Sequence, residues 1–121
     1  MKKEIADRWI AELESGNYKQ TTNALCMING EEKSFCCLGV LCEIAKDELN
    51  LKTELGSLTA GKQVVFYNDS PACIPNIVRD WADMKSRNGL LLSGGSLATL
   101  NDGGHTFKQI AVIIRENWER L

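Results

Sequence analysis

The segment from Phe35 to Ala45 restricts the fold more than any other part of the chain. Its sequence, FCCLGVLCEIA, contains a single charged residue, and its apolar positions cover nearly the whole circumference of a helix. A helix that is apolar all round is a buried helix. We therefore predict a central buried helix here. Gly39 costs such a helix about 1 kcal/mol relative to alanine, which predicts the close approach of another backbone.

Four further segments have the 3–4 spacing of apolar residues that is typical of amphipathic helices. Pro75 suits a first helical turn, Ser96 is a preferred N-cap residue, and Thr106 with Gln109 has the spacing of a capping box. The Asn101-Asp102-Gly103-Gly104 run is expected to break the chain between the last two helices. The predicted helices span residues 2–15, 75–84, 97–100 and 107–121.

Strands are predicted where β-branched or apolar runs flank turn residues. Asn29-Gly30 is the strongest short hairpin signal, because both residues tolerate a positive φ. The predicted strands span residues 24–28, 32–35, 51–55, 63–67 (with a turn at 59–62) and 90–92. No βαβ alternation is present, which argues against a parallel sheet. We expect an α+β fold with one domain over residues 1–121, in which about four helices pack on a small antiparallel sheet or hairpins around a single core.

Five cysteines are present, at positions 26, 36, 37, 42 and 73. A zinc site formed by some of them with His105 is one alternative, but structural zinc sites favour closely paired ligands, and the residues between Cys37 and Cys42 are mostly apolar. Free cysteine behaves as a small hydrophobe. We therefore predict core thiols, with no metal ion and no cofactor.

Charge and targeting signals narrow the function classes. The formal net charge is −2, with 14 basic and 16 acidic residues. Phosphate neutralisation supplies most nucleic-acid affinity, so this balance argues against a nucleic-acid partner. The first residues, Met1-Lys2-Lys3-Glu4, are not followed by an apolar stretch, and no run approaches the ~20 residues of a membrane span. We expect a cytoplasmic protein without membrane contact.

Four blocks along the chain together resemble a family. Leu13–Gln20 has the pattern Leu-x-Ser-Gly-x-Tyr-x-Gln, Phe35–Cys42 is Phe-Cys-Cys-Leu-Gly-Val-Leu-Cys, Pro75–Ala82 is Pro-x-x-Val-x-x-Trp-Ala, and Leu97–Ile114 contains Leu-Asn-Asp-x-Gly-x-x-Phe-x-x-Ile-Ala. This order resembles short, mostly uncharacterised proteins of tailed bacteriophages and prophages. The resemblance implies a bacterial host cytoplasm and an accessory role in host interaction or anti-defence, and it leaves the middle of the chain unconstrained.

The polar loop Asn101-Asp102-Gly103-Gly104-His105-Thr106 and the glycine pair before Ser96 are the candidate ligand site. Backbone N–H groups at a helix N-terminus bind anions, and an arginine can add charge. We name six candidate ligand-binding residues: Ser96, Asn101, Asp102, His105, Thr106 and Arg115, with Arg87 as a further cation. The alternative is that these residues only form turns and caps.

The partner predictions follow from these observations. A nucleophilic pair of Cys36 and His105 is disfavoured, because an apolar setting raises a thiol pKa, so the chain is not expected to be an enzyme. We predict a binding protein whose partner is another protein or a second copy of itself, the latter through the last helix. Val112 and Ile113 lie off the main apolar stripe of that helix, so either the helix is buried on two sides or this extra apolar face meets a partner or a second copy. The alternatives are a binder of a small anionic, nucleotide-like molecule and a small enzyme of unknown class.

Overall fold

The computed structural model describes residues 1–59 and 61–121. In this described part of the chain, five α-helices and five β-strands alternate irregularly. They are α1 (Lys3–Glu14), β1 (Lys19–Gln20), β2 (Cys26–Asn29), β3 (Glu32–Phe35), α2 (Cys37–Ala45), β4 (Thr53–Thr59), β5 (Lys62–Tyr67), α3 (Asn76–Ala82), α4 (Leu97–Asp102) and α5 (Phe107–Asn117), with a 3-10 turn over Trp118–Arg120. The predicted α+β class is confirmed. Ala60 of the predicted turn lies outside the described residues.

The five strands form one mixed sheet in the order β1-β3-β2-β5-β4. Neighbouring strands are antiparallel except for β1, which pairs in parallel with β3 through Lys19 and Gln20. The expectation of a purely antiparallel sheet is therefore wrong at this edge. A two-residue strand has no periodicity of its own, so its pairing arises only when the chain has folded.

Helix α2 is the centre of the core, as predicted from its apolar circumference. Most of its residues are buried, and its main chain is tied to α1 because Trp9 Nε1 donates to the Cys37 carbonyl at 2.9 Å. Helix α1 also packs against α5, and α2 packs against α4. The apolar stripe of α1 is buried as expected, at Ile5, Ala6, Trp9, Ile10 and Leu13.

The predicted close approach at Gly39 is confirmed. The neighbouring backbone is that of Leu25, whose carbonyl oxygen lies only 1.7 Å from where a Cβ on Gly39 would be. Leu25 is itself held on both sides, since its N–H donates to the Pro71 carbonyl and its carbonyl accepts from the Cys36 N–H. The absence of a side chain at Gly39 therefore sets how closely α2 can lie to the start of β2.

The predicted hairpin forms with a different turn. Asn29 pairs with Glu32, so the two loop residues are Gly30 and Glu31 rather than Asn29 and Gly30. Gly30 has φ +65°, the left-handed conformation that glycine adopts at no steric cost, and Asn29 stays in the strand. The predicted strand at residues 51–55 also begins later, at Thr53, and extends to Thr59.

Three expectations for the second half of the chain are wrong. Residues 90–92 form no strand; a single bridge joins Leu90 to Ser96. Asn101 and Asp102 do not end helix α4 but belong to it, because Gly103 is its C-cap. The 3–4 spacing of apolar residues over 75–84 predicts that Ile77 lies on the buried stripe of α3, but Ile77 is 42% exposed. In each case the local pattern fits several conformations, and tertiary contacts select one.

Candidate functional site

The two predicted helix starts are capped by their own side chains. The Ser96 hydroxyl accepts from the Thr99 N–H at 3.1 Å, and the Thr106 hydroxyl accepts from the Gln109 N–H at 3.2 Å. Both are complete capping boxes, as the spacing at Thr106 predicts. One of the backbone donors that an anion would use is therefore already bonded at each helix start.

The two arginines that were expected to add charge there are bonded elsewhere. Arg115 lies 3.0 Å from the Glu14 carboxylate, in an exposed ion pair between α5 and α1. Arg87 donates to the Ser70 hydroxyl at 2.9 Å and to the Ile74 carbonyl at 2.7 Å. Neither guanidinium is bonded at the Ser96 or Thr106 helix start.

Asn101 does not lie on a surface loop, so that expectation is wrong. Asn101 is 1% exposed, and its side chain bonds to three residues in two other segments of the chain. The Oδ1 atom accepts from Gln20 Nε2 at 2.8 Å and from the Cys37 N–H at 3.1 Å, while Nδ2 donates to the Thr21 carbonyl at 2.8 Å. Asn101 thus joins α4 to the start of α2 and to the end of β1.

Asp102 and His105 extend this connection towards the surface. Asp102 Oδ1 accepts from the Asn23 N–H at 3.0 Å, and the His105 carbonyl accepts from Gln20 Nε2 at 2.8 Å. Asp102 and Ser96 also line one depression of about 300 Å³ beside Cys36 and Cys73. The structure therefore brings Ser96, Asn101, Asp102 and His105 into one region and leaves Arg115 apart.

Four of the five cysteines are buried, and Cys73 is half-buried; all five thiols are free. Burial raises the pKa of the Cys36 thiol to about 11, and burial also raises the pKa of Cys37 and Cys42. These thiols stay protonated at neutral pH, which does not suit a nucleophile. Among the described residues, no group of three or more His, Cys, Asp or Glu side chains is placed to hold a metal ion.

We expect the free energy of unfolding to fall at alkaline pH. Unfolded thiols ionise near pH ~8.5 while the buried ones stay protonated, so each such thiol lowers stability by about 1.4 kcal/mol per pH unit above that value. The contribution of Cys36 ends near its folded pKa of about 11. Urea unfolding under reducing conditions at about pH 7.5 and about pH 9.5 tests this in wild type and Cys42→Ala. The variant should lose less stability with pH; equal losses would contradict the expectation.

The exposed edge of the sheet at β4 is not predicted by the sequence patterns described above. Tyr67 lies opposite Thr53, and both main-chain groups of Tyr67 bond to Ser70 at 2.9 Å. Thr53 and Tyr67 are therefore a non-hydrogen-bonded pair of the antiparallel ladder. Because bonded and non-bonded pairs alternate, the N–H and C=O groups of Thr53, Leu55 and Ser57 point outward. Within residues 1–59 and 61–121, no hydrogen bond engages these groups.

Two apolar side chains flank this edge, one on each face of the sheet. Leu55 is 65% exposed and lines a cavity of about 350 Å³ with Val65, on the face towards α2. Leu58 is 44% exposed and lines a cavity of about 320 Å³ with Val64, on the opposite face. Consecutive strand residues point to opposite faces, as Val64 and Val65 do here. Leu55 and Leu58 are three residues apart in TELGSLT, and in a strand an odd spacing places two side chains on opposite faces of the sheet.

The fold defines a small α+β protein with a five-stranded mixed sheet and one free seven-residue edge. The chain belongs to the family described as a domain of unknown function (DUF8296), whose model matches residues 1–118. No curated protein and no solved structure matches the chain. In the part of the chain that the structure describes, no helix combines the length and the apolar character needed to cross a membrane.

Proposed function

We propose that this chain acts by binding a partner protein, an extended segment of which pairs with the outer edge of β4. The observation that carries the proposal is the row of outward N–H and C=O groups at Thr53, Leu55 and Ser57. An edge of this kind accepts a further strand, and the main-chain hydrogen bonds then supply affinity without regard to the side chains.

The side chains beside the edge supply selectivity. An added strand places alternate residues on the two faces of the sheet, where Leu55 and Leu58 each border a cavity. Apolar residues of the partner segment would remove both leucines from water. Lys52 and Glu54 form their own ion pair at 2.7 Å, so the edge does not present an unbalanced charge at this point.

The resemblance to short bacteriophage proteins makes a bacterial cytoplasm the source of candidate partners. An accessory protein that acts on a host or defence component needs a recognition surface rather than a reaction centre. The raised pKa of the buried thiols at Cys36, Cys37 and Cys42 is in keeping with that role. The glycine-flanked helix starts at Ser96 and Thr106 remain an alternative site for a small anion, without an arginine bonded there.

The test is affinity capture from a bacterial extract with three immobilised proteins. Leu55→Pro removes an outward N–H that no residue of β5 uses, so the sheet should persist while the edge is blocked. Leu92→Ala, at an exposed leucine outside the sheet, is the matched control. We expect a partner that wild type and Leu92→Ala retain and that Leu55→Pro loses by about tenfold or more in affinity.

Hydrogen exchange on the captured complex gives the direct readout. The amides of Thr53, Leu55 and Ser57 should become protected when the partner binds, because they then donate to its main chain. Circular dichroism must show that Leu55→Pro is folded. Equal capture by all three proteins, capture of no protein, or protection elsewhere without protection of these amides would contradict the proposal.

A further inference from the structure

The face of the sheet towards α2 carries a row of side chains that crosses four strands. Lys33 on β3 pairs with Ile28 on β2, and Leu55 on β4 pairs with Val65 on β5. Ile28 lies opposite Gln63, two residues before Val65, so Ile28 and Val65 share a face. The row therefore contains a lysine at one end and three apolar side chains that lead from it towards the free edge.

This row is the floor of the cavity of about 350 Å³, and α2 and Tyr67 form its polar wall. The Glu43 carboxylate accepts from the Tyr67 hydroxyl at 2.7 Å and from Lys46 Nζ at 3.2 Å. Its two oxygens are thus each engaged by one donor. Burial, with the Glu43 charge second, raises the pKa of Tyr67, so its hydroxyl remains a donor to Glu43.

Among the described residues that line the cavity, one cation has no ion-pair partner. Lys46 is paired with Glu43, and Glu54 is paired with Lys52 at 2.7 Å. Lys33 lines the cavity, and among the described residues no carboxylate oxygen lies within ion-pair distance of its ammonium group. A ligand that is complementary to this arrangement has a single negative charge at Lys33 and an apolar body over Ile28, Val65 and Leu55.

We propose that this cavity binds an elongated aliphatic monocarboxylate, with its carboxylate at Lys33 and its hydrocarbon chain across the sheet towards Leu55. Strands in a sheet lie about 4.8 Å apart, so the three spacings from β3 to β4 span about 14 Å. An ion pair at the Lys33 end takes up about 4 Å of this length, and the remaining ~10 Å suits a chain of about eight carbons. Val65 is already buried, while Ile28 is half-buried and Leu55 is exposed, so the hydrocarbon would cover apolar surface that now meets water.

Octanoate is the probe, and the readout is an NMR titration of the isotope-labelled full chain. We expect saturable shifts in the amides of Ile28, Lys33, Leu55 and Val65, and weaker binding of 1-octanol, which has the same chain without the charge. Lys33→Gln should weaken octanoate binding by about fivefold and remove most of the preference over octanol, a magnitude in keeping with one exposed ion pair.

The control is Lys108→Gln, which removes an equal charge from an exposed position on α5 and should keep the wild-type affinity. Raising the salt concentration should weaken octanoate binding to wild type and hardly affect Lys33→Gln, because exposed charges are screened. No saturable shift at about 10 mM octanoate, shifts confined to another surface, or equal affinities of Lys33→Gln and wild type would each overturn the proposal.

Discussion

Replacing Gly39 with alanine is expected to destabilise the fold severely. The new Cβ would lie 1.7 Å from the Leu25 carbonyl oxygen and 2.7 Å from its carbon, both of them backbone atoms. Leu25 cannot move away freely, because its N–H and C=O bond to Pro71 and Cys36. Either α2 shifts within a closely packed core or these bonds break.

The expected loss is about 4 kcal/mol or more of a total stability of about 5–15 kcal/mol, which places it among the largest effects of single substitutions. The measurement is chemical unfolding followed by circular dichroism. The control is Gly95→Ala, whose Cβ would meet no atom closer than Thr99 Oγ1 at 3.9 Å and whose φ is not positive. It should change stability by less than about 0.5 kcal/mol. A Gly39→Ala variant as stable as Gly95→Ala would show that the contact at Leu25 yields easily.

Replacing Asn101 with alanine is expected to have the second-largest effect. The substitution leaves the buried Cys37 N–H and the Thr21 carbonyl without their partner and removes the acceptor of Gln20 Nε2. An unsatisfied buried group costs about 1–3 kcal/mol, so we expect a total loss of about 3–5 kcal/mol. Urea unfolding measures it.

Hydrogen exchange distinguishes the loss of the Asn101 hydrogen bonds to β1 from the effect of the cavity that the smaller side chain leaves. Thr21 donates its N–H to the Phe35 carbonyl at 2.8 Å, next to the parallel pairing of β1, and its own carbonyl is held by Asn101. The Asn101→Ala substitution should therefore increase the exchange rate of the Thr21 amide more than it increases the exchange rates of the β5 amides. Asn17→Ala, at an exposed position after α1, serves as the control and should be neutral. Uniform exchange throughout the sheet would indicate that Asn101 does not specifically hold β1.

Helix periodicity predicts much of the helical core of this protein. The apolar stripes of α1 and α5 and the fully apolar circumference of α2 each specify which face is buried, since a helix places residues three and four apart on one side. The glycine at position 39 even predicts the close backbone contact. The hairpin is also predicted, although its turn is displaced by one residue, because Asn29-Gly30 marks a place to turn without stating which residues pair.

Less of the candidate site than of the helical core can be predicted from the sequence. Asn101 looks like a loop residue because asparagine and glycine are common in turns, and Gln20 has the character of a solvated side chain. Each is instead held by a partner about eighty positions away in the chain. No local pattern contains such a partner.

The free edge at β4 is missed for a related reason. The sequence of a strand indicates that the strand pairs, but it does not indicate whether it pairs on one side or on both. The sheet order β1-β3-β2-β5-β4 places β4 at an end, where it pairs with β5 alone. The cross-strand row from Lys33 to Leu55 exists only through the same order.

The sequence by itself determines the helices with strong apolar periodicity, the caps at Ser96 and Thr106, and the burial of α2. These depend on interactions within a few residues, which a local pattern contains in full. Only the tertiary structure decides the parallel pairing of β1, the burial of Asn101 and the exposure of the β4 edge. These depend on which distant backbone groups satisfy one another's hydrogen bonds once water is excluded, and that choice is made by the whole chain.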